Sequence, residues 1–140
     1  MTTEQNKTLV RRFADASLET DQTPVKALLA PDFVLHLGDG PHNQEALLQH
    51  LNYFAMAFSD SYFTVEEQVA EGDTVVTRAT WGGTHSGDFQ GLPSSGKQIA
   101  MSAVLIDRIV DSKIVEHRSL FDMLSMMQQL GLVPPPQSAR

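Results

Sequence analysis

The hydrophobic period changes partway along the chain. Through the first fifty-odd residues apolar side chains recur at three- and four-residue steps, and from Ser61 onward they recur at every second residue. The first period is that of a helix with one buried face, the second that of a half-buried strand. Helices first and then a meander of strands is the order of an α+β domain. Thr2 and Gln5 have capping-box spacing, and Leu9, Val10, Phe13 and Ala16 form one stripe behind them. A second, short helix is predicted in "TDQTPVKALLAP", with Thr23 as cap, Pro24 in its first turn and Pro31 as its end. "DFVLHL" reads as a short strand and "GDGPHN" as a turn cluster. Asn43 then caps a third helix carrying Leu47, Leu48, Leu51, Phe54 and Phe58.

In the second half "SYFTVEEQVAE" alternates, with Phe63, Val65 and Val69 expected on one side. Gly72-Asp73 suits a tight hairpin turn leading back through "TVVTRATW". The link "GGTHSGDFQGLPSSG" has five glycines and reads as too polar for core. "KQIAMSAVLIDRIV" is a long strand, Asp111-Ser112 a turn, and "KIVEHRSLF" the returning strand. A final helix carries Met123, Met126, Met127 and Leu130, with Gly131 at its C-terminal cap and Pro134 to Pro136 preventing continuation. Residues 1–133 are expected to form one domain and 134–140 a flexible tail. A strongly curved sheet needs bulges and glycines, and helices packed against its concave face would leave a pocket.

Composition narrows the function classes. The 140 residues carry a net charge of −7, which argues against nucleic acid as partner. There is no cysteine, so disulfides, thiolate nucleophiles and cysteine-based zinc sites are excluded. The five histidines lack H-E-x-x-H spacing, and the glycine-rich link lacks the phosphate-binding G-x-x-x-x-G-K-[ST] pattern. No metal or organic cofactor is therefore expected. No apolar run approaches the roughly 20 residues of a membrane span, and the N-terminus has no apolar signal core. The expected location is cytoplasmic.

The stretch from Thr80 to Gly131 combines an aromatic, a G-T-H-x-G-x-F-x-G link, an R-x-x-D-x-K-I-x-E-H strand pair, an Asp and a Q-Q-L-G helix end. That composite resembles the SnoaL-like polyketide cyclases of the nuclear-transport-factor-two-like superfamily. The resemblance implies a cone-shaped, mostly antiparallel sheet wrapped around N-terminal helices. It also implies cofactor-free cyclisation or isomerisation of a small hydrophobic carbonyl compound.

It maps the family's general acid/base onto Asp122, at the junction of the last strand and last helix. The alternative for Asp122 is a helix N-cap. Arg108 could hold an enolate oxygen or a substrate carboxylate inside the cone, or pair across strands with Glu116 or Asp107. The antibiotic cyclases use a histidine on the strand of Arg108, and this chain has none there. His36 could donate a proton to a carbonyl, or be a core histidine with one satisfied nitrogen. His117 reads as structural, since strand alternation turns it away from Asp122 unless a bulge intervenes. His85 reads as part of the loop geometry of the link.

Two other functions fit the same cone: a hydrolase-like relative that activates water, and a binding module with no chemistry. An enzyme needs a second polar group aimed at the base's site, and a binder needs only an apolar cavity. A homodimer through the convex sheet face is also expected. The long strand is apolar on both sides, with Met101, Ala103 and Leu105 on one and Val104 and Ile106 on the other.

Overall fold

A computed structural model describes residues 1–135. Most of the tail expected to be flexible, from residue 136 on, lies outside the described residues. Helix α1 (Thr3–Ala16) opens with both bonds of the expected capping box: the Thr2 hydroxyl accepts from Gln5 N at 3.1 Å, and Thr2 N donates to Gln5 Oε1 at 2.8 Å. Its apolar stripe buries Leu9, Val10 and Phe13. Helix α2 (Thr23–Leu28) is entered differently from the sequence expectation. Thr23 does not cap it; the Asp21 carboxylate accepts from Thr23 N at 3.0 Å instead.

Strand β1 (Leu29–Leu37) begins two residues before Pro31, which interrupts the strand's pairing rather than closing the helix. Proline lacks the N–H a ladder needs, and the register with β6 shifts between Leu29 and Val34. The turn cluster contains a short strand, β2 (Gly40–His42), that pairs back on β1. Helix α3 (Gln44–Ala57) is capped by Asn43 and ends before Phe58, which already belongs to β3 (Phe58–Glu71). Strands β4 (Thr74–His85), β5 (Gln98–Val110) and β6 (Lys113–Phe121) follow, then helix α4 (Met123–Gln129). The six strands form one open sheet in the order β2-β1-β6-β5-β4-β3. It is antiparallel except where β1 runs parallel to β6.

Two bulges decide which side chains face the helices. In β3 the register shifts between Val65 and Glu67, so Gln68 and Ala70 turn inward and Val69 is 63% exposed. The expectation that Val69 shares a face with Phe63 is therefore wrong: one inserted residue inverts every side chain after it. In β6 the second bulge falls after Ile114, where the pairing with β5 slips by one. Ile114 and His117, three residues apart, are both buried as a result. The turn joining these two strands carries positive φ at Asp111 (51°) and Ser112 (63°), the pair that a two-residue hairpin with the right twist requires.

The helices cover one face of the sheet, over two apolar clusters. One gathers Val10, Phe13, Leu35, Leu47 and Ile114, the other Phe58, Trp81, Phe89, Met101 and Met126. Phe89 corrects the reading of the glycine-rich link as too polar for core. It is fully buried, packs on Phe54 and Phe58, and is held by reciprocal backbone bonds with Leu92.

Candidate active site

Between α1, α3 and the concave face of the sheet lies an open cavity. Phe13 and Ser17 of α1, Leu47 and His50 of α3, and Trp81, Met101, Leu105, His117 and Phe121 of the sheet are among its walls. Among the described residues no Asp, Glu, Lys or Arg side chain lines it.

The cavity wall carries an imidazole backed by a carboxylate, a pair that the sequence did not bring together. Asp107 of β5 and His117 of β6 are directly opposed in the antiparallel ladder. Opposed residues share a face, and here the face is the concave one. His117 Nδ1 lies 2.6 Å from Asp107 Oδ1, with Asp107 fully buried and His117 at 7% side-chain exposure. The carboxylate accepts from Nδ1–H, which fixes the tautomer and leaves Nε2 as the free acceptor. Phe13 meets the imidazole edge-on at 5.2 Å between ring centroids and sets its tilt. Among the described residues the buried polar side-chain atoms without a partner are Asn6 Oδ1, Gln68 Oε1, His85 Nε2 and Asp107 Oδ2. His117 Nε2 is not among them, so it keeps access to the cavity. The β6 bulge makes this pair. In an unshifted register Asp107 would face Glu116, and His117 would point away from the helices.

The residues singled out from sequence sit elsewhere. Asp122 is exposed and outside the cavity wall; its carboxylate accepts from Ser125 N at 3.1 Å and caps α4. Its neighbour Phe121 takes the inward position. Arg108 and His36 lie on the opposite face of the sheet, where both bond Glu116: Arg108 Nε at 2.7 Å and His36 Nε2 at 2.9 Å. Arg108 and His36 hold the Glu116 carboxyl below its ordinary range, the Arg108 hydrogen bond most of all. His85 is fully buried, and with Ser95, at 2.8 Å from Nδ1, it pins the ends of the link. His50, which no motif signalled, lines the cavity from α3. Among the described residues no group of three or more His, Asp or Glu is placed to hold a metal ion. None of their helices is long and apolar enough to cross a membrane.

An open, mixed α+β sheet curved around its N-terminal helices, with a cavity on the concave side, defines the nuclear-transport-factor-two-like class. Within that class the chain belongs to the SnoaL-like polyketide cyclase family, whose model matches residues 7–130. It is 31% identical over 129 residues to the aklanonic acid methyl ester cyclase DnrD of Streptomyces peucetius, covering 88% of each chain. Among solved structures it is similar to IdmH, a candidate polyketide cyclase of Streptomyces antibioticus, with a TM-score of 0.81, 31% identity and coverage of 91% of this chain and 99% of that one. It is also similar to AclR, a candidate hydroxylase of Streptomyces galilaeus, with a TM-score of 0.90, 26% identity and coverage of 97% and 87%.

Proposed function

We propose that this protein is a cyclase that closes a ring in a polyketide-derived carbonyl compound, with His117 as the general base and Asp107 as its positioning partner. The observation that carries the reading is the Asp107–His117 pair on the wall of an otherwise apolar cavity. A buried carboxylate with one orphaned oxygen costs stability, and a reaction gives it a use that a binding module does not. In the proposed step His117 Nε2 removes a proton from carbon beside a carbonyl. Asp107 stabilises the imidazolium that forms. The enolate carbon attacks a second carbonyl of the same molecule, and the proton returns to the new alkoxide. The cavity holds the two carbons close, which can supply several kcal/mol of the barrier.

In this reading Asp122 serves as a helix cap, and acid–base chemistry comes from side chains alone. The reading includes work in the cytoplasm and a homodimer through the outer sheet face. There the cross-strand pairs Val76–Ile106 and Val104–Leu120 bring four apolar side chains together. A monomer in sedimentation at micromolar concentration would remove the dimer. The activity is tested by incubating the purified, chelator-treated protein with aklanonic acid methyl ester. Conversion to a product of unchanged mass and new retention time supports the proposal; unchanged substrate at high protein concentration overturns it.

A further inference from the structure

The cavity holds a second imidazole, and its surroundings differ from those of the first. His50 reaches the cavity from α3, across from the sheet that carries His117. It lies on the helix face that also presents Leu47, Leu51 and Phe54, side chains brought together by their three- and four-residue spacing. Its ring stands beside that of Phe54, with centroids 5.0 Å apart. Among the described residues the histidines with hydrogen-bond partners are His36, His42, His85 and His117. His50 has none among the described residues, so a half-buried ring with two polar nitrogens stands in an apolar wall. His50 and His117 are the titratable residues of the cavity wall; its other polar side chains are Ser17, Ser61 and Ser119, and Asp107 lies behind His117. Burial, and then the charge of His117, hold the His50 pKa below its ordinary value of 6.5. At neutral pH the ring is uncharged and one nitrogen carries a proton that it can offer.

We infer that His50 is a catalytic residue of the cyclisation proposed above: its ring N–H donates to the carbonyl oxygen on which enolate charge gathers. The inference rests on that reading. The step balances without a further reactant. His117 Nε2 takes the carbon-bound proton, and the electron pair left behind moves into the carbonyl, whose oxygen His50 hydrogen-bonds. The carbon–carbon bond then forms, and His117 delivers its proton to the new alkoxide. His50 keeps its own proton throughout. A neutral donor suits this task, because an imidazolium there would be repelled by the imidazolium forming at His117. The two groups approach the substrate from opposite walls, so one can reach a carbon and the other the neighbouring oxygen.

The test has two arms. In turnover of aklanonic acid methyl ester, His50→Leu is expected to lower kcat by about a hundredfold or more, the usual loss for one donor to a developing oxyanion. KM should stay within a few fold, and His50→Asn, which retains an N–H, should recover part of the rate. In the second arm the aromatic ketone 2-acetonaphthone is bound to the resting protein and its carbonyl stretch recorded. The wild type is expected to shift the band to lower frequency than in hexane, and His50→Leu to abolish the shift. An equal band position in both proteins overturns the inference, whatever the turnover results. Loss of turnover in His117→Gln together with full turnover in His50→Leu overturns the inference and leaves the base assignment standing. Full turnover in His117→Gln refutes the underlying reading instead.

Discussion

Replacing His117 with leucine should cost far more stability than its size suggests. Asp107 is fully buried, His117 Nδ1 is the partner of its Oδ1, and its Oδ2 has none. His117→Leu therefore leaves a carboxylate in an apolar interior with neither oxygen bonded. Removing the hydrogen-bond partner of a buried carboxylate leaves its charge uncompensated and costs about 3–5 kcal/mol. That is a large share of the roughly 5–15 kcal/mol that hold a domain folded, and it should lower the melting temperature by about 10–15 °C. Asp107→Asn keeps an oxygen for Nδ1–H and adds an N–H₂ that finds no partner, a cost of about 1–2 kcal/mol. The double variant holds no buried charge and should be more stable than the sum of the single losses predicts, by about 2 kcal/mol. Urea unfolding at pH 7 measures all four proteins. Strict additivity would refute the reasoning, because it would mean that Asp107 does not depend on the imidazole.

Asp122→Asn should keep both the α4 cap and near wild-type turnover, while Asp122→Ala should lose about 1 kcal/mol in a thermal or urea melt. His50, with its lowered pKa, makes stability fall on the acid side: above its ordinary value of 6.5 its contribution is complete, and below it the unfolded chain takes up the proton first. His50→Leu should therefore flatten the stability–pH curve from about pH 6.5 downward. Phe89→Ala should cost about 3–5 kcal/mol, measured by urea unfolding, because it removes a fully buried ring from the aromatic cluster.

The parts of the fold that rest on local chemistry were legible in the sequence. The Thr2–Gln5 capping box, the Asn43 cap, the Asp111-Ser112 turn and the span of β6 all follow from side chains and backbone preferences close together in the chain. The parts that rest on register were not. A bulge leaves no residue signature in "VEEQV" or "KIVEH", yet one in β3 sends Val69 outward and one in β6 brings His117 inward. The reading of His117 as structural took Asp122 to face the pocket; alternation from His117 to Phe121 is unbroken, and it is His117 that lines the cavity. Arg108 and His36 could be placed on strands, but their face depended on the same registers, and Glu116 holds both on the outer side. His50 is one polar position in an apolar helix stripe, and a sequence gives no sign that such a position lines a cavity. Phe89 was hidden by the glycines around it, although a lone aromatic in a polar link is itself a hint of an anchor.

The proposed base of this protein is His117. The most direct measurement is the single-turnover rate of His117→Gln on aklanonic acid methyl ester beside that of the wild type, at matched protein concentration and confirmed folding. A general base contributes about a hundredfold to ten-thousandfold in rate, so the variant is predicted to be slower by at least a hundredfold. A rate within a few fold of wild type in a folded variant would rule out His117 as the base and move the search to another wall of the cavity.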